Sequence, residues 1–255
     1  MAKQPLGVLI IHGFTSSLDC VRGIEPPLKA LSLPTRMPVL RGHGAKSPEA
    51  LRGVTWHDWV ADGEAALQAL MTEAEKVIVF GHSMGGLVAL TLAAEHANVV
   101  DSLVLAAAAV QMVSPFAPGR PFHFLTPLLR RLFKKWDMAL VYADMGLAQY
   151  DTNYRWAPTD AITSFFDFAE VTRRRLPEIR MPTVILQSRR DTTVAPGCAD
   201  LIYNAISTPR EQKRIIWFEV TEHEMFRDCE REATIGAVVD YVRERAGLTK
   251  QPRRA

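Results

Sequence analysis

The stretch KVIVFGHSMGGLVALTLAAEH, residues 76–96, limits what this chain can fold into more than any other. Val77, Ile78, Val79 and Phe80 are a short, fully apolar run rich in β-branched residues, the pattern of a buried parallel strand. Gly81-His82-Ser83-Met84-Gly85 follows at once, and from Gly86 onward the composition is that of a helix. A strand that passes straight into a helix must turn within a few residues. Glycines two before and two after Ser83 let the backbones pass closely and let Ser83 take a strained dihedral. This is Gly-x-Ser-x-Gly in a strand–turn–helix setting, the context of a nucleophile elbow. It puts the Ser83 hydroxyl at the carboxyl end of a strand and the amino end of a helix, where the dipole favours developing negative charge. A Gly-rich turn that merely packs helix on sheet would need no such context.

The remaining chain supplies the partners of that strand. Leu6–Ile11 is an apolar strand ending in His12-Gly13-Phe14-Thr15, and a helix is expected near 24–31, with Pro26 and Pro27 tolerable in its first turn. Met37–Leu40 reads as a second short strand that ends in Arg41-Gly42-His43-Gly44. Trp56–Met71 has the apolar spacing of an amphipathic helix, and Ser102–Ala109 is a further buried strand. This rhythm predicts a mostly parallel sheet with right-handed crossovers and helices on both faces. It breaks near Val110. Residues 110–175 hold no good buried strand but many aromatics and prolines, and Leu125, Leu128, Leu129, Leu132, Phe133 and Trp136 recur at helical spacing among Arg130, Arg131, Lys134 and Lys135. The segment is expected to be an inserted helical cap over the cleft, supplying much of an apolar pocket wall from Phe122–Trp136. A membrane-surface helix would show the same basic, amphipathic pattern. The sheet resumes at Pro182–Gln187 and ends with Lys213–Val220, followed by a helix over about 230–245. The expected organisation is one catalytic domain, residues 1–109 and 176–255, with a cap or lid insertion at 110–175.

A neutral serine hydroxyl needs a base to take its proton, and that base needs an orienting acid. The chain offers Ser83, then Asp191 after one later strand, then His223 after the last. All three follow carboxyl ends of parallel strands, so they can converge despite their separation. Taken singly, Asp191 is as readily a turn residue and His223 a surface-loop histidine; it is their order after the elbow that favours a triad. His82, beside the nucleophile, is badly placed to be its base. His12 and His43 are expected to hold the cleft loops together, and His57, His96 and His123 show no partner. No cluster has metal-ligand spacing, and Gly81–Gly86 lacks the dinucleotide and phosphate-loop signatures, so neither metal nor cofactor is expected.

Composition excludes other classes. A net charge of +2 gives no reason to expect nucleic acid, and the basic tail at 250–254 is too short to change this. Cys20, Cys198 and Cys229 are odd in number and far apart, the pattern of free thiols in a reducing compartment. With no signal peptide and no apolar run of transmembrane length, a cytoplasmic location without stable membrane insertion is expected.

The chain resembles the α/β-hydrolase superfamily, and within it small bacterial carboxylesterases and monoacylglycerol-lipase-like serine esterases. The resemblance rests on His12-Gly13-Phe14-Thr15, Gly42-His43-Gly44, Asp58-Trp59, the 81–86 elbow, Asp191-Thr192-Thr193-Val194-Ala195-Pro196, and His223 with Asp228 five residues later. It implies an α/β-hydrolase fold and assigns the oxyanion-hole N–H groups to Phe14 and Met84. Two departures are Arg41, where many relatives carry proline, and Glu222, where a small residue is frequent. The implied activity is cleavage of neutral carboxylic esters, short to medium in acyl chain and with monoacylglycerols in range, through a Ser83 acyl-enzyme with His223 as base. No Arg or Lys stands out in the insertion as a partner for a charged acid. Amidase, thioesterase, C–C hydrolase or perhydrolase chemistry is the alternative, and a non-catalytic receptor the remotest one. The expected partner is a small-molecule ester substrate, with a homodimer left open.

Overall fold

The computed structural model describes residues 3–248, so the basic tail at 250–254 lies outside the described residues. Six strands form one sheet: β1 (Gln4–Ile11), β2 (Thr35–Arg36), β3 (Ala74–His82), β4 (Val100–Ala106), β7 (Thr183–Ser188) and β8 (Lys213–Phe218). Their order is β2-β1-β3-β4-β7-β8 and every pair is parallel. Two residues alternate faces in any strand, and here both faces are apolar because both are covered. Leu9, Ile11, Val77, Val79, Leu103 and Leu105 point into the core shared with α2 (Trp56–Leu70), α3 (Met84–Glu95) and α6 (Cys198–Ala205). Val8, Ile10, Ile78, Phe80, Val104 and Val184 point to the opposite core, closed by α1 (Glu25–Lys29) and α7 (Arg231–Arg245). β1 sits between β2 and β3, so the chain leaves β1 in one direction and returns on its other side. The loops after β1 and β3 therefore flank the crevice where the strand order reverses, the place where such sheets bind ligands.

The expected strand over Met37–Leu40 is not formed. The ladder of β2 consists of Val8↔Thr35 and Leu9↔Arg36 alone. Beyond Arg36, Pro38 has no N–H to offer, and the Leu40 N–H is taken by His12 Nε2 at 3.0 Å.

Between β4 and β7 runs the insertion: α4 (Thr126–Leu132), a small antiparallel pair β5 (Lys135–Asp137) and β6 (Trp156–Pro158), and α5 (Thr159–Arg175). The helix expected through Trp136 is thus corrected to seven residues. Phe133 leaves it in extended conformation (φ −114°, ψ 130°), and Lys135–Asp137 pairs with β6 instead. Trp136 explains the preference: its ring meets Phe116 and Phe166 edge-on, at 5.4 and 6.2 Å, contacts that a continued helix would carry elsewhere. The apolar stripe of α4 and its flanks faces outward, with Phe124 73% exposed and Leu132 62%. α5 takes the inner place. Its Ala161, Ile162, Phe165, Phe166, Phe168 and Ala169 recur at i, i+3 and i+4 spacing, are buried, and join the core of α2 and α3. Three arginines, Arg173–Arg175, close its last turn, where the helix dipole favours cations.

Candidate active site

The site begins with a backbone that only tight packing can hold. Ser83 has φ 54° and ψ −118°, outside the conformations an ordinary residue prefers. Its neighbours show why the turn persists. A Cβ at Gly81 would lie 2.2 Å from the Gly85 carbonyl oxygen, and one at Gly85 would lie 2.3 Å from that of Ile11. Both glycines are therefore required by space: the first turn of α3 is pressed against β3 behind it and β1 beside it. Ser83 N–H donates to Ala106 O at 2.9 Å, tying the turn to β4 as well.

Onto this fixed hydroxyl the last loop brings a base. His223 Nε2 lies 3.0 Å from Ser83 Oγ, and its Nδ1 lies 2.9 Å from Asp191 Oδ2. All three residues are buried. Burial alone would push the imidazole down, but the charge and hydrogen bond of Asp191, with Glu224 and Glu222 behind them, hold His223 above its ordinary value. Burial pushes the Asp191 carboxyl up, yet the His223 charge and hydrogen bond and the amides of Val194 and Thr193 leave it below the usual carboxylate range. Those amides donate to Oδ1 at 2.8 and 2.9 Å, and Gln187 Nε2 donates to Oδ2 at 3.1 Å. Gln187 was not singled out from sequence. The only signal was an amide at the end of an otherwise apolar strand.

Glu222, a departure from the resemblance pattern, accepts from Thr192 N–H at 3.0 Å and His223 N–H at 3.2 Å, so it fastens the aspartate loop to the histidine loop. Arg41, the other departure, pairs with Asp58 and Asp62 on α2 and anchors the Gly42-His43-Gly44 turn.

Three further histidines near the site, His12, His43 and His82, are buried and held in the neutral form. Burial, set against the hydrogen bond to Gly13, pushes His12 down to about 4; burial and the neighbouring His12 push His43 down to about 3. His12 bridges Gly13 O and Leu40 N–H, and His43 Nε2 accepts from Thr15 N–H at 3.2 Å. Together they shape the loop that carries Phe14, whose ring stacks on Phe165 at 5.0 Å. His82 is pushed down to about 3, by burial and the neighbouring His223, and its Nε2–H donates to His223 O at 3.1 Å. Met84 opens α3, so its N–H has no acceptor within the helix.

A cleft over Ser83 and His223 is lined by the apolar or aromatic Phe14, Met138, Leu140, Val141, Tyr142 and Phe165 and by the polar Asp151, Asn153, Arg155 and Glu224. None of the residues from Phe122 to Trp136 lines it, which corrects the expected pocket wall. The wall comes instead from the irregular chain on either side of the short 147–150 turn and from α5. One cation of the segment, Arg155, borders the cleft, with its charge answered by Asp151 at 3.2 Å. A serine hydroxyl held by an imidazole, itself held by a carboxylate, beside helix N–H groups can attack an acyl carbon and shelter the resulting oxyanion. Among the described residues, no group of three or more His, Cys, Asp or Glu is placed to hold a metal ion, and no helix is long and apolar enough to cross a membrane.

The chain is similar to known proteins along most of its length. The family described as serine aminopeptidase, S33, matches residues 4–230. A thermostable monoacylglycerol lipase of Bacillus sp. (strain H-257) is 28% identical over 243 residues, covering 95% of this chain and 92% of that protein. A carboxylesterase of Bacillus subtilis (strain 168) is 23% identical over 236 residues, covering 92% and 91%. The solved structure of a metagenome-derived lipolytic enzyme superposes with a TM-score of 0.81 at 26% identity, over 95% of each chain.

Proposed function

Because this chain belongs to the serine aminopeptidase S33 family and has the α/β-hydrolase fold, we propose that it is a serine hydrolase of neutral carboxylic esters. One observation carries the reading: His223 bridges Ser83 Oγ and Asp191 Oδ2 at 3.0 and 2.9 Å. The family description names a peptidase, whereas the full-length relatives are a monoacylglycerol lipase and a carboxylesterase, and this favours an ester as substrate.

In this mechanism His223 Nε2 takes the Ser83 proton as Oγ attacks the ester carbonyl. Negative charge collects on the carbonyl oxygen, where the N–H groups of Phe14 and Met84 receive it. The imidazolium, steadied by Asp191, then gives its proton to the leaving alcohol. A water activated by the same imidazole releases the acid and regenerates Ser83.

Residues 110–175 act as a cap. Leu140, Val141 and Phe165 from this segment face the acyl side of the cleft and favour a neutral chain of short to medium length. Monoacylglycerols fit this description. A second reading concerns where the enzyme meets them: the outward Phe124, Leu128, Leu132 and Phe133 lie among Arg130, Arg131, Lys134 and Lys135, a combination suited to an anionic lipid surface. Three free cysteines accord with a reducing, cytoplasmic location, and burial pushes both Cys20 and Cys198 to about 12, far from thiolate reactivity.

The test is the rate of chromophore release from aryl esters, and of acid release from monoacylglycerols, across short to long acyl chains. A burst blocked by an organophosphonate is the expected result. Turnover of peptide or amide substrates with none of any ester would overturn the reading.

A further inference from the structure

Asp228 is fully buried and accepts five hydrogen bonds, all from neutral groups. They come from two directions. On one side are the groups that lead directly into His223: Glu222 N–H at 2.8 Å and the Thr221 hydroxyl at 3.3 Å. On the other are Ala143 N–H at 2.8 Å and Asp144 N–H at 3.1 Å, which follow the cleft residues Leu140–Tyr142 of the insertion. The fifth donor is the carboxylate's own neighbour, Cys229 N–H at 2.8 Å. Such a carboxylate cannot rotate toward one set of donors without leaving the other unsatisfied. Burial pushes the group up, and the amides of Glu222, Ala143, Asp144 and Cys229 more than reverse this, so it stays ionised through neutral pH. A second support of the base loop, at its start, is different in kind. Glu230 Oε2 accepts from Val220 and Thr221 N–H at 3.0 and 2.7 Å, fixing the loop's start with no link to the insertion.

We propose that Asp228 is a positioning residue for the reaction, holding the loop of His223 in register with the cleft wall at Leu140–Tyr142. A shared anchor makes the two move as one. Displacing the wall displaces the loop that presents His223 Nε2 to Ser83, and freeing the loop loosens the wall. The proposal rests on His223 serving as the base of Ser83. It makes no demand on which ester is cleaved.

Asp228→Asn tests it, because the N–H₂ opposes the Ala143, Glu222 and Thr221 donors if it takes the place of Oδ2 and the Asp144 and Cys229 donors if it takes that of Oδ1, so either orientation breaks the shared anchor on the wall side. The rate at which a fluorophosphonate labels Ser83 reads the serine–histidine pair without any natural substrate. That rate should fall about a hundredfold in protein held well below its thermal transition, since a displacement near 1 Å at reacting groups costs that much. On aryl esters, kcat counted per labelled site should fall in proportion. Should Asp228→Asn not fold, Thr221→Val removes a single hydroxyl donor on the base side. It should slow labelling several-fold and lower kcat with KM unchanged. Labelling within twofold of wild type in folded Asp228→Asn, with only the melting temperature lowered, would overturn the proposal. Wild-type labelling by Thr221→Val would overturn it equally where Asp228→Asn fails to fold. A wild-type protein that labels normally but cleaves no ester would instead sink the ester assignment and leave the role of Asp228 measurable.

Discussion

The two sides of the cleft are built by opposite means. Below it, each candidate residue follows a strand of the sheet: Ser83 after β3 and Asp191 after β7, each strand held between two neighbours, and His223 after the edge strand β8, with hydrogen bonds of 2.9 and 3.0 Å among them. Above it, the insertion holds its shape through one inner helix, α5, and isolated polar clasps such as Asn153 Nδ2 to Glu224 Oε1 at 2.9 Å. It also leaves Phe124 and Leu132 in water. A sheet fixes positions to a fraction of an ångström because every strand is over-determined. Side chains on a wall of irregular chain can change one by one as long as the backbone clasps behind them, Asp228 among them, keep their place. Chemistry and selectivity are thus assigned to different building methods.

The comparison can be broken most severely from below. Ser83→Ala should leave a folded protein whose ester hydrolysis is lower by about 10⁴-fold or more, and His223→Ala should match it, since a triad acts as a unit. Near wild-type turnover in either folded variant would dissolve the division. Asp191→Asn should cost somewhat less, on the order of 10²- to 10⁴-fold.

Acidity gives the next largest effect. A base must be neutral to accept a proton, and His223 is held above its ordinary value of 6.5. Activity should therefore be lost as pH falls through a pKa above 6.5 and be level on the alkaline side. In Asp191→Asn the raising partner is gone and the lowering effect of burial remains, so the acidic limb of the pH–rate profile should move to lower pH. A limb that stayed in place or moved up would contradict the electrostatic account of the site.

The upper wall should respond more gently. Leu140→Ala ought to shift the preferred acyl chain toward longer esters, each methylene that newly fits improving kcat/KM about fourfold, or ~0.8 kcal/mol. The rate of fluorophosphonate labelling should not move. Smallest of all, Phe124→Ser on the outer face should change hydrolysis of a dissolved short ester by less than about twofold. A lower rate on monoacylglycerol presented in anionic vesicles, with the dissolved ester unaffected, would support a lipid-facing surface. Equal loss on both substrates would show that this face buttresses the cleft.

The lower side was the legible one. Strands β1, β3, β4, β7 and β8 coincide to within a few residues with apolar runs, because a strand covered on both faces must be apolar throughout. The elbow was readable because the glycines that permit it are themselves the signal. The upper side was opaque for an equally physical reason. The stripe Leu125–Trp136 has helical spacing, but spacing does not say which face is inward. Here the inward place goes to α5, whose phenylalanines read from sequence only as aromatic content. Helix α6, eight residues long, was also missed between β7 and β8. Met37–Leu40 misled as a strand because the competitor for the Leu40 N–H is His12, distant in sequence. The contacts of Asp228 and Gln187 belong to the same class: partners that only the assembled sheet brings near.

The jammed glycines have one more consequence. The dihedral of Ser83 is imposed from outside, by Gly85 against the Ile11 carbonyl and Gly81 against Gly85. The geometry of this serine is therefore a property of the closed centre of the sheet, β1 against β3, and not of the five-residue motif by itself.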